Sequence, residues 1–377
     1  MRPTWAAIDG GAFARNIDAI ARRLPEGSRV VAVMKANAYG HGAVELAKRC
    51  TADRVAMIAV ILLEEALELR RGRIALPVLV MGPLTRQQIP IAADHGFAIG
   101  VPGPEELAAV AEVARDRDVH VHLKLDSGMG RMGSTGRELP RVVELLRSAP
   151  RVKLDAIYTH FANASDPRDP YTDEQAANFD RLVGELRDAG ITAPLHHRSN
   201  SAGTFRGFVR PGEYVRCGIA LYGGAPLDEP SPRLEPVMQW RTEIARLKLL
   251  PANHPVGYGS TFRTKRASRI ATLPVGYADG YNRLLSNKGE VLVRGRRVPV
   301  VGRVSMDLIT VDITDLPDAA IGDEVILLGS QENERITAEE IAGKIGTISY
   351  EVFCSVSARV PRVYRDGDRL IIRSRFA

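Results

Sequence analysis

The sequence predicts an α/β chain: a (β/α)8 barrel of the TIM type, followed by a mostly-β C-terminal domain. Three observations carry that prediction. Short runs of apolar, β-branched residues alternate with amphipathic stretches from residue 11 to about residue 225. The alternation then stops at 226–233, a stretch rich in proline and polar residues, and strand-like runs dominate beyond it. A doubly wound open sheet is the competing arrangement, but no GxGxxG follows the first strand.

Taken in order, the strand-like segment 5–8 precedes the alternation and is expected to pair with the β-rich domain. Phe13, Ile17 and Ile20 mark a helix over 11–24. The run 30–34 is too short for a helix and reads as a buried strand; a helix through Val44, Leu46 and Ala47 follows. Further strands are expected at 55–61, 77–81, 97–101, 119–126, 154–160, near 194–197 and at 214–221, with helices at 63–71, 104–115, 138–148 and 172–188. That makes about eight strand–helix units in about 220 residues, the count of a (β/α)8 barrel. In the second region, strands are expected at 239–249, 269–273, 290–293, 298–301, 308–313, 324–328, 359–364 and 370–373, a set that a small barrel could close. One helix, 338–345, should follow a Thr337 cap with glutamates in its first turn. The expected division is 1–10 for the first strand, 11–228 for the barrel and 229–377 for the β-rich domain.

Composition narrows the class. With 377 residues, 45% hydrophobic and 25% charged, the chain can fill a large core and a second domain. The net charge of +6 is dispersed, which suits small anionic ligands better than nucleic acid. Cys50, Cys217 and Cys354 lie far apart without CxxC spacing, so no metal site or disulfide framework is expected, and the odd count suits a reducing compartment. No signal region opens the sequence and no apolar run approaches the ~20 residues needed to cross a bilayer, so a cytoplasmic protein without membrane contact is expected.

Barrels of this kind carry reactive groups at the C-terminal ends of their strands. Lys35 ends the strand 30–34. Alone, it is most simply a surface residue. Sheltered at a strand mouth, a lysine loses basicity and becomes a nucleophile for a carbonyl, as in a Schiff base with an aldehyde cofactor. Lys124 and Asp126 end another strand and lead into Ser127-Gly-Met-Gly-Arg131; Tyr158, Thr159 and His160 end the next. His197, Arg198, Ser199, Asn200 and Ser201 follow the seventh strand, and Arg216, Gly218 and Ile219 lie on the eighth. Clusters at equivalent positions are hard to ascribe to packing alone. The last two also suit a phosphate, through the backbone N–H groups and hydroxyl of the loop 200–203 and of Gly218-Ile219. A phosphate with a Schiff-base lysine points to pyridoxal phosphate. In the second region, Tyr258 stands between glycines, and Met306-Asp307 follows an apolar run; each alone reads as a hairpin or turn.

Together these stretches resemble the alanine racemase family. The resemblance rests on Val-Met-Lys35-Ala-Asn-Ala-Tyr39-Gly-His-Gly, His-Leu-Lys124-Leu-Asp-Ser-Gly-Met-Gly-Arg131, Tyr-Thr-His160, Asn200-Ser201-Ala, Val-Arg216-Cys-Gly-Ile, Val-Gly-Tyr258-Gly-Ser-Thr, Val-Gly-Tyr277-Ala-Asp-Gly and Val-Ser-Met306-Asp307, in family order. It implies a racemase for L- and D-alanine that supplies D-alanine for peptidoglycan and works as a head-to-tail homodimer. Lys35 would be the Schiff-base lysine, and Tyr258 the second base, entering the partner subunit's site. Arg131 would meet the cofactor's phenolic oxygen, and Lys124 sits where some members carry a carbamylated lysine. Tyr39, Ser201, Gly218 and Ile219 would hold the phosphate, with Asn200 and His160 also at the cofactor. Arg216 would face the pyridine nitrogen, and Arg216 and His160 would stabilise a phenolate. Met306 and Asp307, with Arg131, would lie near the substrate carboxylate; His197 and Tyr277 would support. Ala358 stands where some members have a tyrosine that narrows the substrate entry, and His196-His197-Arg198-Ser199 where smaller residues are common before Asn-Ser. A racemase of broader specificity and a pyridoxal-phosphate decarboxylase of the same architecture remain alternatives, as does a non-catalytic carrier of the cofactor; the β domain speaks against the carrier, which is a single barrel.

Overall fold

Runs of valine, isoleucine and alanine without polar alternation can be buried on both faces, and parallel sheets covered by helices are where that happens. In the computed structural model, which describes residues 2–228, 232–366 and 369–374, the first strand is β1 (Thr4–Ile8). The barrel strands follow: β2 (Arg29–Val33), β3 (Val55–Val60), β4 (Val78–Val80), β5 (Ala98–Val101), β6 (Val119–Lys124), β7 (Val152–Tyr158), β8 (Leu195–His197) and β9 (Tyr214–Cys217). They form one sheet in the order β8-β7-β6-β5-β4-β3-β2-β9, every neighbouring pair parallel. The two end strands meet where the Arg216 N–H donates to Ser199 O at 3.0 Å. The (β/α)8 architecture is therefore as the sequence predicts.

Helices Leu63–Arg71, Pro104–Val113, Leu139–Ser148 and Tyr171–Asp188 fall on the expected segments. Helix Gln88–Asp94 was not expected. Its Pro90 lies in the first turn, where a missing N–H costs no helical hydrogen bond, so a residue that reads as a breaker is accommodated. Two further corrections concern the phosphate loops. Residues Ser201–Phe205 form a helix rather than a loop, capped by Asn200, whose Oδ1 accepts from Gly203 N at 2.9 Å. The eighth strand stops at Cys217, and Ile219–Tyr222 is a 3₁₀ turn.

The chain separates into two units, one of Ala14–Ala38 and Ala43–Leu234, the other of Met1–Phe13, Tyr39–Gly42 and Glu235–Ala377. The expected boundary at 228/229 and part of the linker 226–233 lie outside the described residues, which omit 229–231. In the second unit, β1 pairs antiparallel with Met238–Glu243 and parallel with Arg362–Asp366. The sheet continues through Glu324–Gln331 and Glu290–Val293 to Arg296–Pro299, and on the other side to Arg369–Arg373. Its Arg296–Pro299 edge continues: Val300 bridges antiparallel to Val311 and Val301 N donates to Thr310 O at 2.9 Å, which joins it to the sheet of Arg246–Leu250, Ser268–Leu273 and Ile309–Asp312. The single strand expected over 239–249 is two, Met238–Glu243 and Arg246–Leu250, in different sheets. The break comes at Ile244 and Ala245, whose N–H groups donate to Asp323 O and Thr272 O, each at 3.0 Å. Helix Ala338–Ile345 is capped as expected by Thr337, which accepts from Glu340 N at 3.1 Å. A second helix, Ser349–Ser355, was not expected, because Tyr350, Val352 and Phe353 read as strand formers; burial of Val352 and Phe353 overrides that preference.

Candidate active site

Lys35 follows β2 directly and is half-buried. The four residues after it, Ala36, Asn37, Ala38 and Tyr39, all have φ between 52° and 54°. None is glycine, and the left-handed region costs such residues roughly 1–2 kcal/mol each. Side chains and backbone hold the turn in place. Glu65 Oε1 accepts from Ala36 N at 2.5 Å, while its Oε2 accepts from Ile61 and Leu62 at the start of its own helix. Asn37 Oδ1 accepts from Ala43 N at 2.7 Å, and Ala38 N donates to Met34 O at 2.8 Å. Tyr222, from the 3₁₀ turn, donates its hydroxyl to Val33 O at 2.8 Å and steadies the strand end behind the lysine. In the unit to which Tyr39–Gly42 belongs, Tyr39 is buried against Tyr350, and the carbonyls of Gly40 and His41 accept from Arg362 Nε and the Tyr364 hydroxyl.

The next strands supply a buried cationic cluster. Arg216 is 3% exposed. Its terminal nitrogens donate to His197 O, Thr159 O and Arg198 O and to the Nδ1 atoms of His197 and His160. Burial pushes its pKa down to about 10, so it remains charged at neutral pH. An arginine only donates, so His197 Nδ1 must accept. The His197 Nε2 then carries the proton and donates to His122 Nδ1 at 2.9 Å. Burial, with Arg216 as second cause, holds His122 down at about 3 and His197 well below the usual imidazole range, so this relay is neutral. His160 is likewise held neutral by burial and by Arg216. Any stabilisation of a phenolate by His160 would therefore come from a neutral imidazole, with the positive charge supplied by Arg216 and its cationic neighbours. Tyr158 stacks on His197 with ring centroids 4.8 Å apart, under both Arg216 and Lys124.

Lys124 is buried, and its pKa falls to about 8 through desolvation, then repulsion from Arg216, Arg131 and Lys35. The cationic set at the strand ends thus lowers the basicity of an amine by the route expected for Lys35. At the other side of the barrel mouth, Ser201 Oγ accepts from Gly218 N at 3.0 Å and from Ala220 N at 3.5 Å, tying helix Ser201–Phe205 to the turn at Ile219. The N–H groups of Ser201, Ala202 and Ile219 meet no protein acceptor among the described residues.

These observations test the fit of pyridoxal phosphate. Free N–H groups at a helix start and an adjacent turn are a donor set for a phosphate. The Arg216 Nε–H meets no protein acceptor among the described residues, which leaves one donor of a buried cation for an acceptor from outside the chain, such as a pyridine nitrogen. The residues present fit the cofactor.

The other predicted residues lie in the β-rich unit. Tyr258 is 73% exposed, in a turn between Pro255–Val256 and Phe262–Arg263 where Gly257 and Gly259 have φ of 71° and 70°. Tyr277 N and Ala278 N donate to Ser305 O and Met306 O, each at 3.0 Å, so the Tyr277 and Met306 turns share a backbone. A Cβ on Gly276 would come within 2.3 Å of Met306 O, which is why glycine stands there. Asp307 is paired with Arg359 at 2.8 Å. His122 was not predicted as functional, and Asp126 was placed at a strand end without a role. The alternation of β6 could have found His122, since 120, 122 and 124 share the Lys124 face.

Comparison with known proteins agrees with this geometry. Residues 8–226 match the family model "Alanine racemase, N-terminal domain", and 237–364 match "Alanine racemase, C-terminal domain". An alanine racemase of Halothermothrix orenii is 40% identical over 370 residues, covering 97% of each chain. The solved alanine racemase of Bacillus anthracis with bound L-Ala-P superposes with a TM-score of 0.92 at 36% identity, covering 100% of this chain and 98% of that one. That of Bartonella henselae, with covalently bound pyridoxal phosphate, gives 0.87 at 29% identity, covering 97% and 100%.

Proposed function

The chain belongs to the alanine racemase family, and on that premise we propose that Lys35 and Tyr258 exchange the Cα proton of alanine from opposite faces, with Tyr258 supplied by a second copy of the chain. The enzyme is an isomerase that interconverts L- and D-alanine and depends on pyridoxal phosphate. When bound, the cofactor withdraws electrons from Cα and makes its proton acidic. Lys35 would hold the cofactor through its amine and would serve as the base on one face. Its strained turn fixes where Nζ emerges. Tyr258 returns or removes the proton on the other face. Ser201, Gly218 and Ile219 would hold the phosphate, Tyr39 and Asn200 are assigned to it as well, and Arg131, Met306 and Asp307 are assigned to the substrate carboxylate, Arg131 also to the cofactor.

The observation that carries this reading is Arg216. Its guanidinium keeps its own protons, so the Nε–H would act only as a donor toward a ring nitrogen of the cofactor and would leave that nitrogen unprotonated. His197 and His122, both neutral, orient it without competing for charge. That favours plain proton exchange over side reactions. Lys124, with its pKa near 8, has a ready fraction of neutral amine for carbamate formation. A carbamate would turn its repulsion from Arg131 into attraction.

Incubating the cofactor-loaded enzyme with L-alanine in deuterium oxide tests the whole reading. Deuterium should enter Cα as optical rotation is lost, and release of carbon dioxide instead would identify a decarboxylase. No helix among the described residues is long and apolar enough to cross a membrane. We read the enzyme as a cytoplasmic one that supplies D-alanine for peptidoglycan, a reading supported by its family membership. Ala358, exposed beside Arg359, motivates a second reading with a wider substrate range.

A further inference from the structure

Arg131 donates no hydrogen bond to the protein among the described residues, yet the turn that carries it is fixed from both sides. On one side stands the Asp126 carboxylate. Its Oδ1 accepts from the N–H groups of Gly128 and Met129, each at 2.9 Å, and of Gly130 at 3.1 Å; its Oδ2 accepts from Gly130 at 3.0 Å. On the other side, helix Tyr171–Asp188 takes the carbonyls: Asn178 Nδ2 donates to Ser127 O at 2.9 Å and the Tyr171 hydroxyl to Gly128 O at 2.6 Å. The ends are tied as well, by Asp126 N to Ser134 O at 3.0 Å and Ser134 N to Lys124 O at 2.9 Å. Gly128 has φ of 138°, and a Cβ there would lie 2.6 Å from the Tyr171 hydroxyl oxygen. The charge of Arg131 is felt at Lys124 and at His160, on two neighbouring strands.

We infer that Asp126 is a positioning residue for the reaction: its carboxylate gathers the turn 127–130 and so sets where the Arg131 guanidinium enters the barrel mouth. An amide at 126 keeps one acceptor oxygen but gives up the charge, and its NH₂ group would stand against Gly130 N where Oδ2 now accepts, so it holds the turn less firmly. A carboxylate accepts all of them and is held more strongly for being charged. Tyr171 completes the arrangement from the carbonyl side. The inference rests on the reading of Arg131 as a contact to cofactor and substrate.

The test is a double-mutant cycle on the cofactor-loaded enzyme, with kcat and KM for alanine and melting temperature followed together. Asp126→Asn should lower kcat/KM by roughly 10–100-fold, the scale on which a displaced positioning group acts. Placed in an Arg131→Ala background, the same change should add nothing, because there is no guanidinium left to aim. Tyr171→Phe should behave alike with a smaller loss, and it carries the comparison if Asp126→Asn does not fold. An Asp126→Asn enzyme as active as the parent overturns the inference. So does an equal further loss in the Arg131→Ala background, which would mark a general effect on the fold. A fully active Arg131→Ala would instead remove the role assigned to Arg131, and the positioning role with it; loss there with an indifferent Asp126 leaves the first assignment standing.

Discussion

The two units treat their functional side chains in opposite ways. In the barrel, Arg216, His197 and Ser201 are 3%, 1% and 4% exposed, and each is bonded to another residue of the site. In the β-rich unit, Tyr258 and Met306 are 73% and 53% exposed. A preorganised dipole or cation gains its strength from being shut away from water, and so does a proton-transferring base. On the proposed function, the barrel holds the more ordered half of the site, Arg131 apart, and the β-rich unit displays side chains that would work only once something covers them. A second copy, with its own barrel mouth, is the covering that the proposed function requires.

Several experiments would break or sharpen that contrast. The largest effect should come from the more ordered half. Lys35→Ala removes both the cofactor's anchor and one base, and should cost about 10⁴-fold or more in racemisation, read by loss of optical rotation. Tyr258→Phe removes only one base and should cost about 10²–10⁴-fold. Mixing these two inactive variants under conditions that exchange subunits should restore activity, to roughly a quarter of the parental sites in a symmetric dimer. If the mixture stays inactive while mixed dimers form, the two groups belong to one chain's site and the contrast is wrong.

Acid should find the barrel first. Burial holds His122 and His197 neutral, so their folded pKa values lie below the unfolded value near 6.5. The stability they contribute is fully present above about pH 6.5 and is lost as pH falls towards the folded values. At pH 5.5 the two together should cost about 3 kcal/mol, which thermal melts across this range would read. His122→Asn should flatten that slope.

The smallest effect is expected at the exposed edge. Ala358→Tyr adds bulk next to Arg359 and should reduce the ratio of serine to alanine turnover by about 2–10-fold. An unchanged or increased ratio would remove the support for a wide entry.

What could be read from the sequence follows the same division. The barrel strands, and with them the positions of Lys35, Lys124, His160, His197 and Arg216, were legible because period and burial coincide in a parallel sheet. The relay to His122 was overlooked, though the alternation through Lys124 contains it. Helices Gln88–Asp94 and Ser349–Ser355 escaped because Pro90 and the Tyr-Val-Phe run argue locally for other structure, and tertiary packing decides. The left-handed turn after Lys35 left no local signal either. Alanine and tyrosine do not ask for positive φ and a single asparagine marks at most one such position; Glu65 and Ala43, distant or later in the chain, impose it through hydrogen bonds.

That turn bears on when the protein becomes reactive. An unfolded chain has no reason to keep four consecutive non-glycine residues at positive φ, so a nascent or damaged copy carries Lys35 as an ordinary hydrated amine. On the role proposed for Lys35, ordered capture of the cofactor is thus tied to the completed barrel, because only the folded turn aims the amine.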